Sequence, residues 1–407
     1  MLRIALFTYS TKPRGGVVHT LALAEHLQAL GHQAHVFALG KDQQSEFFRP
    51  TSVSFTLIPI EFIPLDQETL DERIQRYIQT YYQYLLKVSP DAFDIYHAQD
   101  CVSANALWRL REDGVITGFV RTVHHVDDFT SPSLIECQKN SILRPDYRIV
   151  VSRYWQKQLV DEFQVDSSII YNGVNLDRFQ PATPAERLAA RSQLGLDDQF
   201  VFLNIGGIEP RKNSVRLLRA FQAVQPTLNA QGRTPVLLFV GGDTLLDYSP
   251  YRNEFFEIFD RSHLQVDQDV FFPGVVADEQ IPLLYQAADV LAFPSVKEGW
   301  GLVVLEAMAS GVPVLTSDLP VFREYLRSEE NALLVDPASD EAIGAALRRL
   351  VDDHELRHRL ALAGPATAEK FSWTATAKAH AEFYDSIQAD TLANQVPQKC
   401  LTLEGGA

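Results

Sequence analysis

Two glutamates bracket a glycine-rich turn in the stretch Glu298-Gly299-Trp300-Gly301-Leu302-Val-Val-Leu-Glu306, which runs on into Ala-Met-Ala-Ser-Gly311-Val-Pro313. Leu291-Ala-Phe-Pro-Ser before it reads as the end of a strand, and residues 302–309 read as a helix stopped by Gly311 and Pro313. The free amides of that helix start, near Gly301 and Leu302, point at whatever lies beyond the strand end, and such amides favour phosphate. A diphosphate bound there repels a carboxylate beside it, so Glu298 and Glu306 read as partners for hydroxyl groups at its two ends. A sugar–diphosphate–ribose ligand presents its groups in that order. Either glutamate alone reads as an ordinary solvated residue; the Glu-Gly-Trp-Gly turn between them and the Ala-Met-Ala-Ser-Gly-Val-Pro after them argue against that.

Other strand ends carry matching chemistry. Arg211 and Lys212 follow Gly206-Gly207 and stand just before a helix at 214–224, where cations oppose the helix dipole and call for an anion in compensation. They could neutralise a departing diphosphate. Thr8-Tyr-Ser is followed by Lys12-Pro-Arg14-Gly15-Gly16, and the two glycines permit close approach of a phosphate or sugar to the backbone. Arg121-Thr-Val-His124-His125-Val-Asp127-Asp128 closes a strand at the same sheet edge. Arg14 and Arg121 at one edge of an acidic chain read as holding an anionic group of a second substrate through forked hydrogen bonds; for Lys12 a solvated loop is preferred. Asp127-Asp128 reads as two carboxylates facing different ways rather than a metal site. Gly241, with Gly242 and Asp243, and Gly274 end two further strands that could line a nucleotide pocket.

These residues need a scaffold that brings strand ends together. The first half alternates expected strands at 3–8, 34–38, 55–58, 95–97, 119–123, 147–151 and 168–171 with expected helices at 17–30, 68–88, 103–111, 132–140 and 154–162. The second half repeats the design, with strands at 201–204, 236–240, 270–272, 290–293 and 313–316. Its helices are expected at 214–224, 251–259, 278–287, 302–309, 340–352, 354–370 and 373–387. Such alternation implies βαβ units on parallel sheets: two Rossmann-like, doubly wound α/β domains facing a cleft, with ligands beyond the carboxyl ends of the strands. A dinucleotide-binding domain is disfavoured, because no Gly-x-Gly-x-x-Gly is present and no acidic residue follows the second strand. The chain has 407 residues, a formal charge of −16 and 46% hydrophobic residues. That suits two domains and argues against nucleic acid or a polybasic membrane anchor as partner. Three cysteines, Cys101, Cys137 and Cys400, form no Cys-x-x-Cys and fit a reduced, cytoplasmic setting. No apolar run is long enough to span a membrane, which leaves peripheral contact open.

Glu298-x7-Glu306 resembles the E-x7-E motif of the retaining family-4 glycosyltransferases, which have the GT-B fold. The resemblance implies that Glu298 touches the donor sugar and Glu306 the ribose hydroxyls. It implies that Gly299, Trp300, Gly301 and Leu302 lie along the nucleotide sugar. Gly16 sits in a Gly-Gly-Val pattern, leading to Leu30-Gly-His, that resembles the start of the family's acceptor domain. Thr122-Val-His124 is similar to its T-x-H motif, whose histidine contacts the donor sugar; a one-residue register change exchanges His124 and His125. Arg211 and Lys212 resemble its phosphate clamp, with Arg211 replacing the arginine that many members carry where this chain has Gly207. Gly241 and Gly274 match positions around the nucleotide, and the 318–324 stretch matches a family pattern in which Glu324 reads as structural. The resemblance implies an acceptor domain at 1–175, a donor domain at 176–371, a helix at 373–389 crossing back onto the first domain and a loose tail at 390–407. It implies hexosyl transfer with retention from a UDP- or GDP-linked sugar, with no metal and no other cofactor. The acceptor could be a small molecule, a saccharide or a lipid head group. A GT-B-like nucleotide-sugar epimerase and an inactive nucleotide-sugar-binding scaffold are the alternatives.

Overall fold

Among the described residues, short apolar runs closed by turn residues give thirteen strands, all paired in parallel. A computed structural model describes residues 1–41, 46–61, 63–64, 67–242 and 249–395. The first sheet holds β1 (Arg3–Thr8), β2 (Gln33–Gly40), β3 (Ser54–Pro59), β4 (Ile95–Ala98), β5 (Val120–Val123), β6 (Tyr147–Val150) and β7 (Ser168–Ile169) in the order β3-β2-β1-β4-β5-β6-β7. The second holds β8 (Phe200–Ile205), β9 (Pro235–Val240), β10 (Val270–Gly274), β11 (Val290–Phe293), β12 (Val314–Ser317) and β13 (Leu333–Val335) in the order β10-β9-β8-β11-β12-β13. Helices cover both faces, so strands such as β4 and β9 are buried along their whole length. In each sheet the winding reverses beside the first strand, between β1 and β4 and between β8 and β11. A crevice opens at that point beyond the strand ends, and ligands of such sheets bind there. The expected doubly wound fold class is borne out.

One expectation needs correction, and two elements had no expected counterpart. Residues 184–194, between the two halves, form a helix, Pro184–Leu194, with a capping box between Thr183 and Glu186 and Gly195 as its left-handed stop. Its only buried residue is Ala190, so the apolar period that marks most helices is missing. Arg187 and Arg191 fasten it instead, both to the carboxylate of Asp289. The last helix runs Trp373–Gln395, so residues 390–395 of the expected loose tail are helical, while 396–407 and Cys400 with them lie outside the described residues. Finally, β13 had no expected counterpart, being only three residues long.

Trp373–Gln395 crosses back onto the first sheet. Val174 donates its amide to Phe371 O at 2.8 Å, and a Cβ on Gly173 would stand 2.3 Å from Trp373 N, so the outgoing and returning chains lie side by side. Ala377, Ala381, Tyr384 and Ile387 then close a core with Ile4, Leu6, Leu21 and Val36. One apolar cluster joins the two halves, with Val123, Val150 and Trp155 from the first and Val201, Leu291 and Val304 from the second.

Three histidines, His19, His97 and His124, are packed under this crossing helix with its own His380. His19 lies edge-on to His124 at 4.8 Å between ring centroids, and His380 is 5.9 Å from both His19 and His97. Their side-chain partners are neutral: Asn172 for His19, Thr122 and Tyr384 for His97, Gln99 for His124 and the Thr376 carbonyl for His380. Burial lowers the pKa of all four, that of His380 to about 4, and the positive field of Arg121 deepens the effect at His97 and His124. The unfolded chain therefore takes up protons from about pH 6.5 downward while the folded chain does not until near pH 4 for His380. Stability contributed by these rings is complete above that window and is lost as pH falls through it. We expect the thermal midpoint to drop between pH 7 and pH 5, and the drop to shrink in a folded His380→Gln protein. Equal midpoints at the two pH values in calorimetry would contradict this account.

Candidate active site

In the second sheet, β8 ends at Asn204-Ile205 and hands the chain through Gly206-Gly207 to a 3-10 turn, Pro210–Lys212. Asn213, at φ +60°, ends the turn, and its side-chain amide donates to Pro294 O at 2.9 Å and Pro337 O at 2.8 Å. That tie holds the turn against the chain leaving β11 and sets two cations beside Glu298. Lys212 Nζ donates to Glu298 Oε1 at 2.7 Å and Arg211 to the same oxygen at 3.1 Å. The Lys212 ammonium also stands 4.4 Å from the centre of the Phe293 ring. Glu298 is 7% exposed, and burial alone would raise its pKa; the two cations outweigh that and push it down to about 2. Burial and the neighbouring Arg211 lower the Lys212 pKa, against the pull of Glu298.

The helix Leu302–Ala309 starts where expected, behind Gly301 at φ +89°, and no side chain caps it. Its first amides therefore remain on offer at the crevice. Glu306 lies on the same helix, where Tyr285 donates its hydroxyl to Oε2 at 2.8 Å and to Val303 O at 3.2 Å. Burial raises the Glu306 pKa, and the Tyr285 hydrogen bond opposes it. The ends of β8, β9 and β10 form a glycine-lined row: Gly241 N donates to Gly274 O at 2.9 Å, and a Cβ on Gly241 would stand 2.4 Å from Gly206 O. Gly207 continues that row, whereas Asp243 lies outside the described residues.

The first sheet presents His124 across from these groups. His124 Nε2 meets Gln99 Oε1 at 3.2 Å, and a Cβ on Gly16, in the first turn of the helix Gly15–Ala29, would lie 3.9 Å from the imidazole. His125 turns to Asp127, 3.1 Å away. The two sheets meet at Gly299, where a Cβ would stand 2.3 Å from His124 O. Only glycine permits that approach. Lys297 reinforces the junction through ion pairing with Asp128. Trp155 Nε1, on the helix Arg153–Phe163, donates to Glu298 O at 3.0 Å. Glu324 accepts from Arg153 N and Tyr154 N at 3.1 and 3.0 Å, which bears out its reading as structural.

The structure thus brings Arg211 and Lys212 onto Glu298, sets Gly16 and Gly299 against His124, holds Glu306 on Tyr285, and lines up Gly206, Gly207, Gly241 and Gly274 along the second sheet's edge, with Gly301 and Leu302 at the helix start. Two expected site residues do not fit their assignments. The Trp300 indole is 2% exposed, stacked on Tyr171 at 4.6 Å and packed against Tyr325 and Phe371, so it fills the seam between the halves and offers no ring to a ligand. Arg121 is 7% exposed; it donates to the neighbouring Thr122 carbonyl and lies on the strand face opposite Thr122, towards Cys101 and Cys137. It is not displayed in the cleft, because it lies two residues before the end of β5 and is enclosed by the helices Cys101–Glu112 and Pro132–Leu143. Arg14 does sit at the edge, donating to Tyr9 Oη at 3.0 Å above the Tyr9 ring. Gln99, Tyr285 and Trp155 were not singled out from the sequence. A signal existed for Gln99, which directly follows β4 at the switch point; Tyr285 and Trp155 belong to helices whose residues read only as packing.

Two family models match the chain: one described as Glycosyltransferase Family 4 over residues 13–178, the other as Glycosyl transferases group 1 over residues 186–367. An uncharacterized glycosyltransferase of Methanocaldococcus jannaschii is 26% identical over 409 residues, which covers 94% of this chain and 98% of that one. A D-inositol 3-phosphate glycosyltransferase of Streptomyces scabiei is 29% identical over 319 residues, 74% of this chain and 70% of its own. Among solved structures, sucrose-phosphate synthase from Thermosynechococcus elongatus superposes with a TM-score of 0.79 at 24% identity, covering 96% of this chain and 100% of that one. The Anabaena protein HepE, in complex with UDP and glucose, gives 0.76 at 20% identity over 95% of this chain and 100% of its own. Both superpositions show a shared fold.

The junction at Gly299 yields a test of the geometry. Gly299→Ala forces a methyl group against the His124 carbonyl, a backbone atom that cannot swing away. The overpacking should cost about 1–3 kcal/mol of stability. Chemical denaturation is the measurement, and an unchanged midpoint and slope would refute the close approach.

Proposed function

Since this chain belongs to glycosyltransferase family 4, we propose that it transfers a hexosyl group, with retention, from a UDP- or GDP-linked sugar to an acceptor held by the first half. In this reading residues 176–371 bind the donor, and residues 1–175 with the helix at 373–389 bind the acceptor. The observation that carries it is the contact of Lys212 and Arg211 with the Glu298 carboxylate at the mouth of the second sheet, at 2.7 and 3.1 Å. A sugar–phosphate bond breaks when the negative charge gathering on the leaving diphosphate is neutralised. Arg211 and Lys212 are fixed charges and the first amides of the helix Leu302–Ala309 fixed dipoles that this reading directs at that group, already oriented before reaction. Glu306, held by Tyr285, has the depth and acceptor oxygens to bind two ribose hydroxyls. Glu298 supplies acceptor oxygens to the sugar, and its charge favours the positive character that develops at the anomeric carbon. His124 closes the sugar site from the opposite half. If the acceptor hydroxyl enters beside the departing phosphate, that oxygen can take its proton, and the new bond forms on the face the old one leaves. The cations do the neutralising that a divalent ion performs in other transferases, so this reading requires no metal.

That HepE was solved with UDP and glucose supports a nucleotide-sugar donor. Arg14 is the cation that the first half offers to an anionic acceptor, and relatives named for D-inositol 3-phosphate make a phosphorylated one reasonable. Screening UDP- and GDP-sugars by thermal shift identifies the donor, because a ligand that binds only the folded chain raises its midpoint.

Glu306→Ala removes charge-assisted hydrogen bonds worth about 1.5–3 kcal/mol each. Affinity for the free nucleoside diphosphate and donor KM should worsen by about tenfold or more, while Glu298→Gln should lower turnover more than nucleotide affinity. Unchanged nucleotide affinity in folded Glu306→Ala, measured by calorimetry, would remove the ribose role.

Stereochemistry is a separate check. An α-linked donor should give an α-linked product, with activity surviving EDTA. A β-anomer in the proton NMR spectrum of fresh product, or complete loss of turnover on chelation, would contradict the mechanism.

A further inference from the structure

Glu298 belongs to the second half, yet its main chain is held by the first. Trp155 is 3% exposed, and its indole N–H donates to Glu298 O at 3.0 Å. The indole lies on the first turn of a helix capped by Ser152, whose hydroxyl accepts from Trp155 N at 3.2 Å. The same helix start receives the Glu324 carboxylate from the second half. Next in sequence, Gly299 rests on His124 O, and on the other side Lys297 pairs with Asp128 and reaches Val126 O at 3.4 Å. Three successive residues, 297–299, are thus each fastened to the first half. Within the second half, Lys212 and Arg211 hold the Glu298 side chain, and Arg211 also donates to Lys297 O at 3.3 Å.

We propose that Trp155 is a positioning residue: its indole N–H sets the backbone of Glu298, and so the direction of its carboxylate, when the two halves are in contact. The consequence is a division of labour. The cations and Glu306 form a nucleotide site complete within the second half, whereas correct aim of Glu298 at the sugar needs the first half in place. Binding of the nucleotide and turnover therefore respond differently to loss of the indole N–H. This inference rests on the reading of Glu298 given above.

Trp155→Phe keeps an aromatic ring in the seam and deletes the donor. Ser152→Ala weakens the same helix without removing the indole, so it reports what instability alone does. With UDP-glucose as donor, or GDP-mannose if that is the one bound, sugar release or transfer is measured beside the affinity for the matching nucleoside diphosphate. We expect Trp155→Phe to lower kcat about tenfold with diphosphate affinity within twofold of the parent, and Ser152→Ala to lower the thermal midpoint with kcat nearly unchanged. Parent-like kcat in Trp155→Phe overturns the inference, as does an equal fall in kcat in Ser152→Ala or a parallel loss of diphosphate affinity. Glu298→Gln separates the two readings. If it lowers kcat and Trp155→Phe does not, only the positioning role fails; if Glu298→Gln leaves kcat intact, the assigned role of Glu298 fails first.

Discussion

Buried at the mouth of the second sheet, the Glu298 carboxylate meets Lys212 and Arg211 through a single oxygen. A carboxylate at that depth is costly unless it is compensated, and two lone cations at a helix start would be costly as well. Each half of the arrangement makes the other tolerable. Much of the local architecture serves to keep them in register: the left-handed Asn213, its two carbonyl bonds and the glycine row at Gly206 and Gly241 all hold the turn after β8 against the turn after β11. The parallel sheet places those turns side by side because β8 and β11 are neighbours although β9, β10 and the helices around them separate the two in the chain. Chemistry at this edge is thus a direct result of strand order.

The same constraint explains what was legible in the sequence. Arg211, Lys212 and Glu298 stand at strand ends or helix starts, positions that turn residues announce, with Glu306 one turn into the helix that Gly301 opens, and the charge pattern at those points has few alternative readings. Most strands were legible because an enclosed parallel strand is a short, nearly continuous apolar run. Trp155, Tyr285 and Gln99 were not, since their roles arise from contacts between residues 21 to 143 positions apart. Arg121 and Trp300 show the opposite error. Each is next to site residues in the chain, yet a strand alternates its side chains and a turn can fold one inward, so adjacency did not carry them into the cleft. The helix Pro184–Leu194 was hidden by its lack of an apolar face; a capping box and a glycine stop were its only marks.

The seam between the halves is built from two materials. Apolar rings, those of Trp155, Trp300, Tyr171 and Phe371, exclude water without fixing a single register. Polar contacts add the register: the indole of Trp155 on a carbonyl, Glu324 on a helix start, Lys297 on Asp128. Burial stabilises contact of the halves in general, while the few polar contacts select one orientation of it.

The returning helix has a bearing on how the protein is made. The first core remains unfinished along the helix Gly15–Ala29 until Ala377, Ala381 and Tyr384 are available to cover it. On the ribosome, the second half therefore emerges entire while the first waits with an uncovered apolar flank, even though domains are usually completed in order from the amino end. His19 and His97, whose rings meet His380, stay accessible to water through that interval. Completion of the first sheet is thus tied to residues made after the second, and a chain arrested before them carries a finished second sheet beside an incomplete first.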